Sequence, residues 1–147
     1  MAKIAVLGYG TVGSGVVDVI HMNGSAINKR AGEEISIKYV LDLREFPGTP
    51  AENLIIHDFE QIVSDEEVDV VVEVMGGIEP AHTFVKRSLE AGKSVVTSNK
   101  ALVAKWGSEL LAVAEANNVN FLFEASVGGG IPIIRSLNHA LTADEIE

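Results

Sequence analysis

A chain of 147 residues holds one domain of ordinary size and leaves no room for a second full one. Its 21 acidic residues against 11 basic ones give a net charge of −10, and the basic residues are scattered, which disfavours nucleic acid or an anionic membrane as partner. With 47% apolar residues and no cysteine, the chain can build a core but no disulfide framework, thiolate nucleophile or cysteine zinc site. The amino terminus runs into an apolar stretch that breaks at Gly8. That is too short for a signal peptide's apolar region or a membrane span, so a cytoplasmic protein is expected.

In chain order, Ile4 to Leu7 is apolar without alternation, the pattern of a strand buried on both faces. From Val12, the residues Val16, Val19, Ile20 and Ile27 keep helical spacing, with Gly24 as a point where the helix ends or breaks. Strands are predicted at Ile35 to Leu41, Asn53 to Ile56 and Val68 to Val74. Pro80 suits the first turn of a helix that runs to Ala91 and stops at Gly92. A strand at Ser94 to Thr97, a helix at Trp106 to Asn117 and a strand at Asn120 to Glu124 follow. Beyond three glycines, Pro132 opens a last helix with Ile133, Ile134, Leu137 and Leu141 on one side. This alternation predicts an α/β fold with a mostly parallel, doubly wound sheet and helices on both faces. The alternation runs on as one domain.

The sharpest motif is Gly8-Tyr9-Gly10-Thr11-Val12-Gly13, lying between the first strand and the first helix. Gly8 permits the tight turn, Gly10 leaves room for a pyrophosphate and Gly13 allows close helix–strand packing, while the helix start offers unpaired N–H groups. A nicotinamide or flavin dinucleotide is the leading expectation, and an ordinary glycine-rich turn the alternative. The fingerprint wants an acidic residue about 20 positions on, to hold the adenosine ribose. Asp42 stands at the second strand's end but follows Gly13 by 29 positions. Arg44 suits a 2′-phosphate instead, so Asp42 points to NAD and Arg44 to NADP, with a solvated loop aspartate and an exposed arginine that merely solvates the loop as the alternatives.

Gly76 and Gly77 follow the fourth strand, and Ser98-Asn99-Lys100 follows the fifth, on the edge where the cofactor's far half would pass. A lysine placed there is suited to moving a proton to or from a hydroxyl, although an ordinary surface lysine is the alternative. Glu124-Ala125-Ser126-Val127-Gly128-Gly129-Gly130-Ile131-Pro132 combines a carboxylate with a glycine loop that can aim carbonyls at a hard cation, or serve merely as a connection. Arg135 and His139 read as a solvated pair, and His21, His57 and His82 have no partner pattern.

Ile4 to Gly13, Val70 to Gly77 (VVVEVMGG), Ser98 to Leu102 and above all Glu124 to Pro132 (EASVGGGIP) resemble the amino-terminal part of homoserine dehydrogenase. The resemblance implies a Rossmann-type domain and an NAD(P)-dependent interconversion of L-homoserine and L-aspartate 4-semialdehyde, serving threonine, methionine and isoleucine biosynthesis. It implies that Gly10, Thr11 and Val12 cradle the pyrophosphate, that Gly76 and Ser98 approach the nicotinamide ribose, and that Lys100 is one of two lysines at the reacting carbon. It also implies a sodium or potassium site from Glu124 with the carbonyls of Val127, Gly129 and Ile131. Family members continue into a substrate and dimerisation domain, which implies a division of this chain into an NAD(P)-binding domain over residues 1–130 and the start of a hinge and substrate domain over 131–147. It is therefore expected to bind NAD(P) without turning over homoserine alone. A homo-oligomer is expected, the last helix's apolar face favouring self-association. The competing readings are a non-catalytic dinucleotide-sensing module and another amino-acid dehydrogenase on the same scaffold.

Overall fold

The computed structural model describes residues 1–127. Its strands are β1 (Ala2–Leu7), β2 (Ile35–Leu41), β3 (Ile55–Ile56), β4 (Val68–Glu73), β5 (Ser94–Thr97) and β6 (Phe121–Leu122), all parallel in the order β3-β2-β1-β4-β5-β6. The helices are α1 (Thr11–Ala31), α2 (Glu60–Val63), α3 (Ala81–Glu90), α4 (Lys100–Ala116) and α5 (Glu124–Val127). The chain winds outward from β1 in one direction through β3, then crosses to β4 and winds the other way. Right-handed crossovers then send the helices of the two halves to opposite faces, which is the doubly wound arrangement expected.

Successive residues of a strand face opposite sides, so β1 feeds two cores. Ala5 and Leu7 pack with Val85, Leu89, Leu102 and Leu110 from α3 and α4, whereas Ile4 and Val6 pack with Val17 of α1 and Val40. Ala5, Val6 and Leu7 have no solvent exposure. That is why the stretch from Ile4 to Leu7 has no polar alternation: both of its faces are buried, while Lys3 ahead of it stays partly exposed. Among the described residues, no helix is long and apolar enough to cross a membrane.

Several boundaries differ from the expected ones: the third strand, expected from Asn53, keeps only Ile55–Ile56, because Glu52–Leu54 wind into a short 3-10 helix. Helix α1 runs on through Gly24, bending at Asn23 (φ −109°, ψ 15°), and ends only at Gly32, whose left-handed φ of 76° lets its N–H reach the Asn28 carbonyl. Helix α4 starts at Lys100 rather than Trp106, because the Asn99 side chain accepts the Leu102 N–H at 3.1 Å and so caps the first turn. The last strand shrinks to Phe121–Leu122, and Glu124 opens α5 rather than ending a strand. Pro80 sits one position before α3, at its N-cap, after a cis peptide bond. The expected helix after Pro132 and the boundary at 130/131 lie outside the described residues.

Candidate cofactor site

Register builds the site. Leu7 pairs with Leu41 on one side and with Glu73 on the other, and Glu73 pairs with Thr97. Four strands therefore end in one row. The residues that follow, Gly8, Asp42, Val74 and Ser98, step off the same edge, and all four extend the ladder: Gly8 N–H to the Leu41 carbonyl (2.8 Å), Asp42 N–H to that of Ile56 (3.2 Å), Val74 N–H to that of Leu7 (3.0 Å) and Ser98 N–H to that of Glu73 (3.3 Å). This edge is where the winding reverses, and ligands of open parallel sheets bind in that crevice.

The three glycines of the motif differ in their surroundings. Gly8 is buried at φ +99°, and a methyl added there would meet Met75. At Gly13 an added methyl would collide with the Gly8 carbonyl oxygen and come to 2.8 Å from its carbon, so helix and turn touch only because no side chain intervenes. At Gly10 nothing lies within 4 Å of that position. Gly10 is also the N-cap of α1 and brings no side-chain cap, and Thr11 and Val12 beside it are exposed. The result is an open ledge of backbone at the positive end of a 21-residue helix.

Beside the ledge lies a cleft of about 410 Å³, with apolar lining from Leu41, Phe59, Met75, Pro80 and Phe84 and polar lining from Asp42, Arg44 and His57. Phe59 and Phe84 stack with ring centres 4.1 Å apart. Such a slot suits a flat heterocycle carrying a polar sugar. Asp42 and Arg44, which pointed to different cofactors, turn out to be partners. Asp42 Oδ1 accepts from Arg44 N–H and Nε–H, both at 3.0 Å, and Oδ2 accepts from Arg44 Nη2–H at 3.1 Å and from Tyr9 N–H at 2.9 Å. The Arg44 guanidinium, with the Tyr9 and Arg44 backbone donors, holds the Asp42 carboxyl down at about 2. Arg44 itself remains 65% exposed and lies over the Phe46 ring at 4.9 Å. His57, to which the sequence assigned nothing, faces the Asp42 carbonyl at 2.6 Å through Nδ1 and Glu45 at 2.5 Å through Nε2. Two acceptors on one ring, the Asp42 carbonyl first, push its pKa up.

On the far side of the ledge, Gly76 and Gly77 form an exposed turn at φ +80° and +73°. Ser98 is half-buried and Lys100 exposed, at the start of α4. Of the expected cation ligands, Glu124 and Val127 form the two ends of α5, whereas Gly129 and Ile131 lie outside the described residues. Among the described residues no group of three or more His, Asp or Glu side chains is placed to hold a metal ion.

The winding, the ledge and the cleft at the sheet's reversal point together define a dinucleotide-binding domain of the Rossmann class. The chain spans about a third of the length of the relatives it matches. It belongs to the homoserine dehydrogenase NAD-binding domain family, whose model matches residues 8–124. The homoserine dehydrogenase of Lactococcus lactis is 43% identical over 150 residues, covering 98% of this chain and 35% of that protein. The crystal structure of a homoserine dehydrogenase from Thiobacillus denitrificans superposes with a TM-score of 0.87 at 42% identity, over 99% of this chain and 34% of that one. A hyperthermophilic archaeal homoserine dehydrogenase in complex with NADPH matches at a TM-score of 0.77 and 27% identity, over 92% of this chain and 47% of that one.

Proposed function

We propose that this chain is the cofactor-binding portion of an oxidoreductase that interconverts L-homoserine and L-aspartate 4-semialdehyde, within the route to threonine, methionine and isoleucine. The observation that carries this reading is the open backbone ledge at Gly10, flanked by the apolar cleft that ends in Asp42 and Arg44. The ledge and the N–H groups of Thr11 and Val12 hold a pyrophosphate, and the cleft holds adenosine. Gly76 and Ser98 border the nicotinamide ribose. When bound, the nicotinamide accepts or donates the hydride. Lys100 stands beyond Ser98 on the same edge, where its amine is placed to take or return the proton of the substrate hydroxyl.

Asp42 favours NADP through the company it keeps. An ionised carboxylate offers about four acceptor positions, and Arg44 and Tyr9 occupy all of them. Ribose hydroxyls must displace Arg44 to bind there, whereas a 2′-phosphate draws the exposed guanidinium onto itself. The homologue in complex with NADPH accords with this choice. A sodium or potassium ion near Glu124 belongs to the proposal on the strength of the resemblance and of the carboxylate at that position, and a homo-oligomeric state and a cytoplasmic location belong to it as expectations from the sequence. Turnover of homoserine is proposed to need groups beyond the cleft and Lys100. Parallel titration of the chain with NADH and NADPH, followed by ligand fluorescence, tests the proposal. Saturable binding with NADPH the tighter is expected, and binding of neither overturns it.

A further inference from the structure

Glu73 is a charge in the middle of an apolar run, and it has no solvent exposure at all. A carboxylate withdrawn from water persists only where its oxygens find donors. Oε1 accepts the Met75 N–H at 2.8 Å, and Oε2 accepts the Thr97 hydroxyl at 2.6 Å. Thr97 Oγ1 in turn accepts the Asn99 N–H at 3.0 Å, and Asn99 Nδ2 donates to the Gly77 carbonyl at 2.5 Å. With the chain running from Met75 through Gly76 to Gly77, these four bonds close a ring through residues 73, 75, 77, 99 and 97. The strands do not need this ring to pair, since backbone hydrogen bonds already join β4 to β1 and β5, and valine fills the neighbouring positions 70, 71 and 72.

We propose that Glu73 is the positioning residue for the nicotinamide half of the site, fixing the turn after β4 against the start of α4. The inference rests on the cofactor reading above. The ring pins Met75 and Gly77, the two ends of the glycine turn, and leaves Gly76 between them exposed, with nothing within 4 Å of its side-chain position. Its other arm is the Asn99 side chain, which also caps α4 and so sets where Lys100 begins the helix. One buried carboxylate thereby sets the spacing among Gly76, Ser98 and Lys100.

Glu73→Gln keeps the shape but turns one of the two acceptors into a donor, so either Met75 N–H or the Thr97 hydroxyl loses its acceptor. The readouts are the chain's affinity for NADPH, the emission of the bound reduced nicotinamide, and the affinity for 2′,5′-ADP, which carries the adenosine half alone. We expect NADPH affinity to fall about tenfold, with 2′,5′-ADP held to within about twofold. The bound emission should move toward that of free NADPH. Thr97→Val breaks the ring at its other atom and should reproduce the pattern, whereas Thr97→Ser keeps the hydroxyl and should restore it. If Glu73→Gln does not fold by circular dichroism, the Thr97 pair carries the comparison. Equal weakening of both ligands, or unchanged NADPH binding and emission, overturns the inference. A wild-type chain that binds neither ligand instead removes the cofactor reading and this inference with it.

Discussion

Replacing Gly10 and Gly13 by alanine, one at a time, separates ligand binding from folding at a single turn. At Gly10 the backbone is extended (φ −84°, ψ −155°) and the added methyl meets nothing within 4 Å. Losing a glycine N-cap costs about 0.5 kcal/mol, so the melting temperature should hardly move. The same methyl stands where a phosphate must approach. Losing two charge-assisted hydrogen bonds there amounts to about 3 kcal/mol, or roughly a hundredfold in NADPH affinity. At Gly13 the methyl collides with the Gly8 carbonyl oxygen, a tighter contact than its 2.8 Å approach to the carbonyl carbon, so α1 must retreat by more than about an ångström. Overpacking of that kind costs about 1–3 kcal/mol, offset by up to about 1 kcal/mol from alanine's better helix propensity. The clash is with backbone, which puts the cost at the top of that range and leaves about 2–3 kcal/mol, so a drop of roughly 4–12 °C in melting temperature is expected, at about 2–4 °C per kcal/mol. Thermal melts and NADPH fluorescence titrations on both variants decide the matter. Gly10→Ala binding NADPH as the wild type does would place the phosphates elsewhere, and Gly13→Ala melting unchanged would mean that α1 does not press on the turn.

Arg44→Ala should weaken NADPH about 10- to 100-fold and NADH by less than about threefold in parallel titrations, and an equal loss for both refutes the 2′-phosphate assignment. Asp42 has its carboxyl held from 3.8 down to about 2, so its contribution to stability is full above 3.8 and disappears as pH falls through about 2. Urea midpoints measured down that range should flatten in Asp42→Asn, and an unchanged acid limb counts against the pairing. In an enzyme that joins this domain to a relative's substrate domain, Lys100→Ala should abolish homoserine-dependent NADPH formation with NADPH affinity unchanged, and retained turnover removes Lys100 from proton transfer.

The sheet was largely legible because buried parallel strands write themselves as unbroken apolar runs, as in Ala5 to Leu7 and Val70 to Val72. The glycine motif was legible too, since each of its positions answers to a local steric demand. The start of α4 was not: its signal is the single side chain of Asn99, ahead of any apolar periodicity. Asp42 and Arg44 read as rivals because a sequence does not show that two side chains two positions apart after a strand turn toward each other. The cleft's apolar lining was invisible, since Phe59, Met75 and Phe84 come from separate segments that meet only once the sheet is assembled. Glu73 left a visible mark, a charge inside VVVEV, but its partner Thr97 lies 24 positions away on another strand.

The common finishing row at Leu7, Leu41, Glu73 and Thr97 carries a thermodynamic corollary. No stretch of this chain owns the cleft by itself, because the slot proposed for adenosine draws on the turn after β1, the end of β2, Phe59 and the segment leading into α3. A partly assembled chain thus has nothing for a dinucleotide to grip, and the ligand's binding energy accrues only to the finished sheet. At ligand concentrations a hundred times the dissociation constant, that amounts to about 2.7 kcal/mol of added resistance to unfolding. Under the proposed function, occupancy acts as a fastener across both halves of the winding, and the added stability is shared by the outer strands as well.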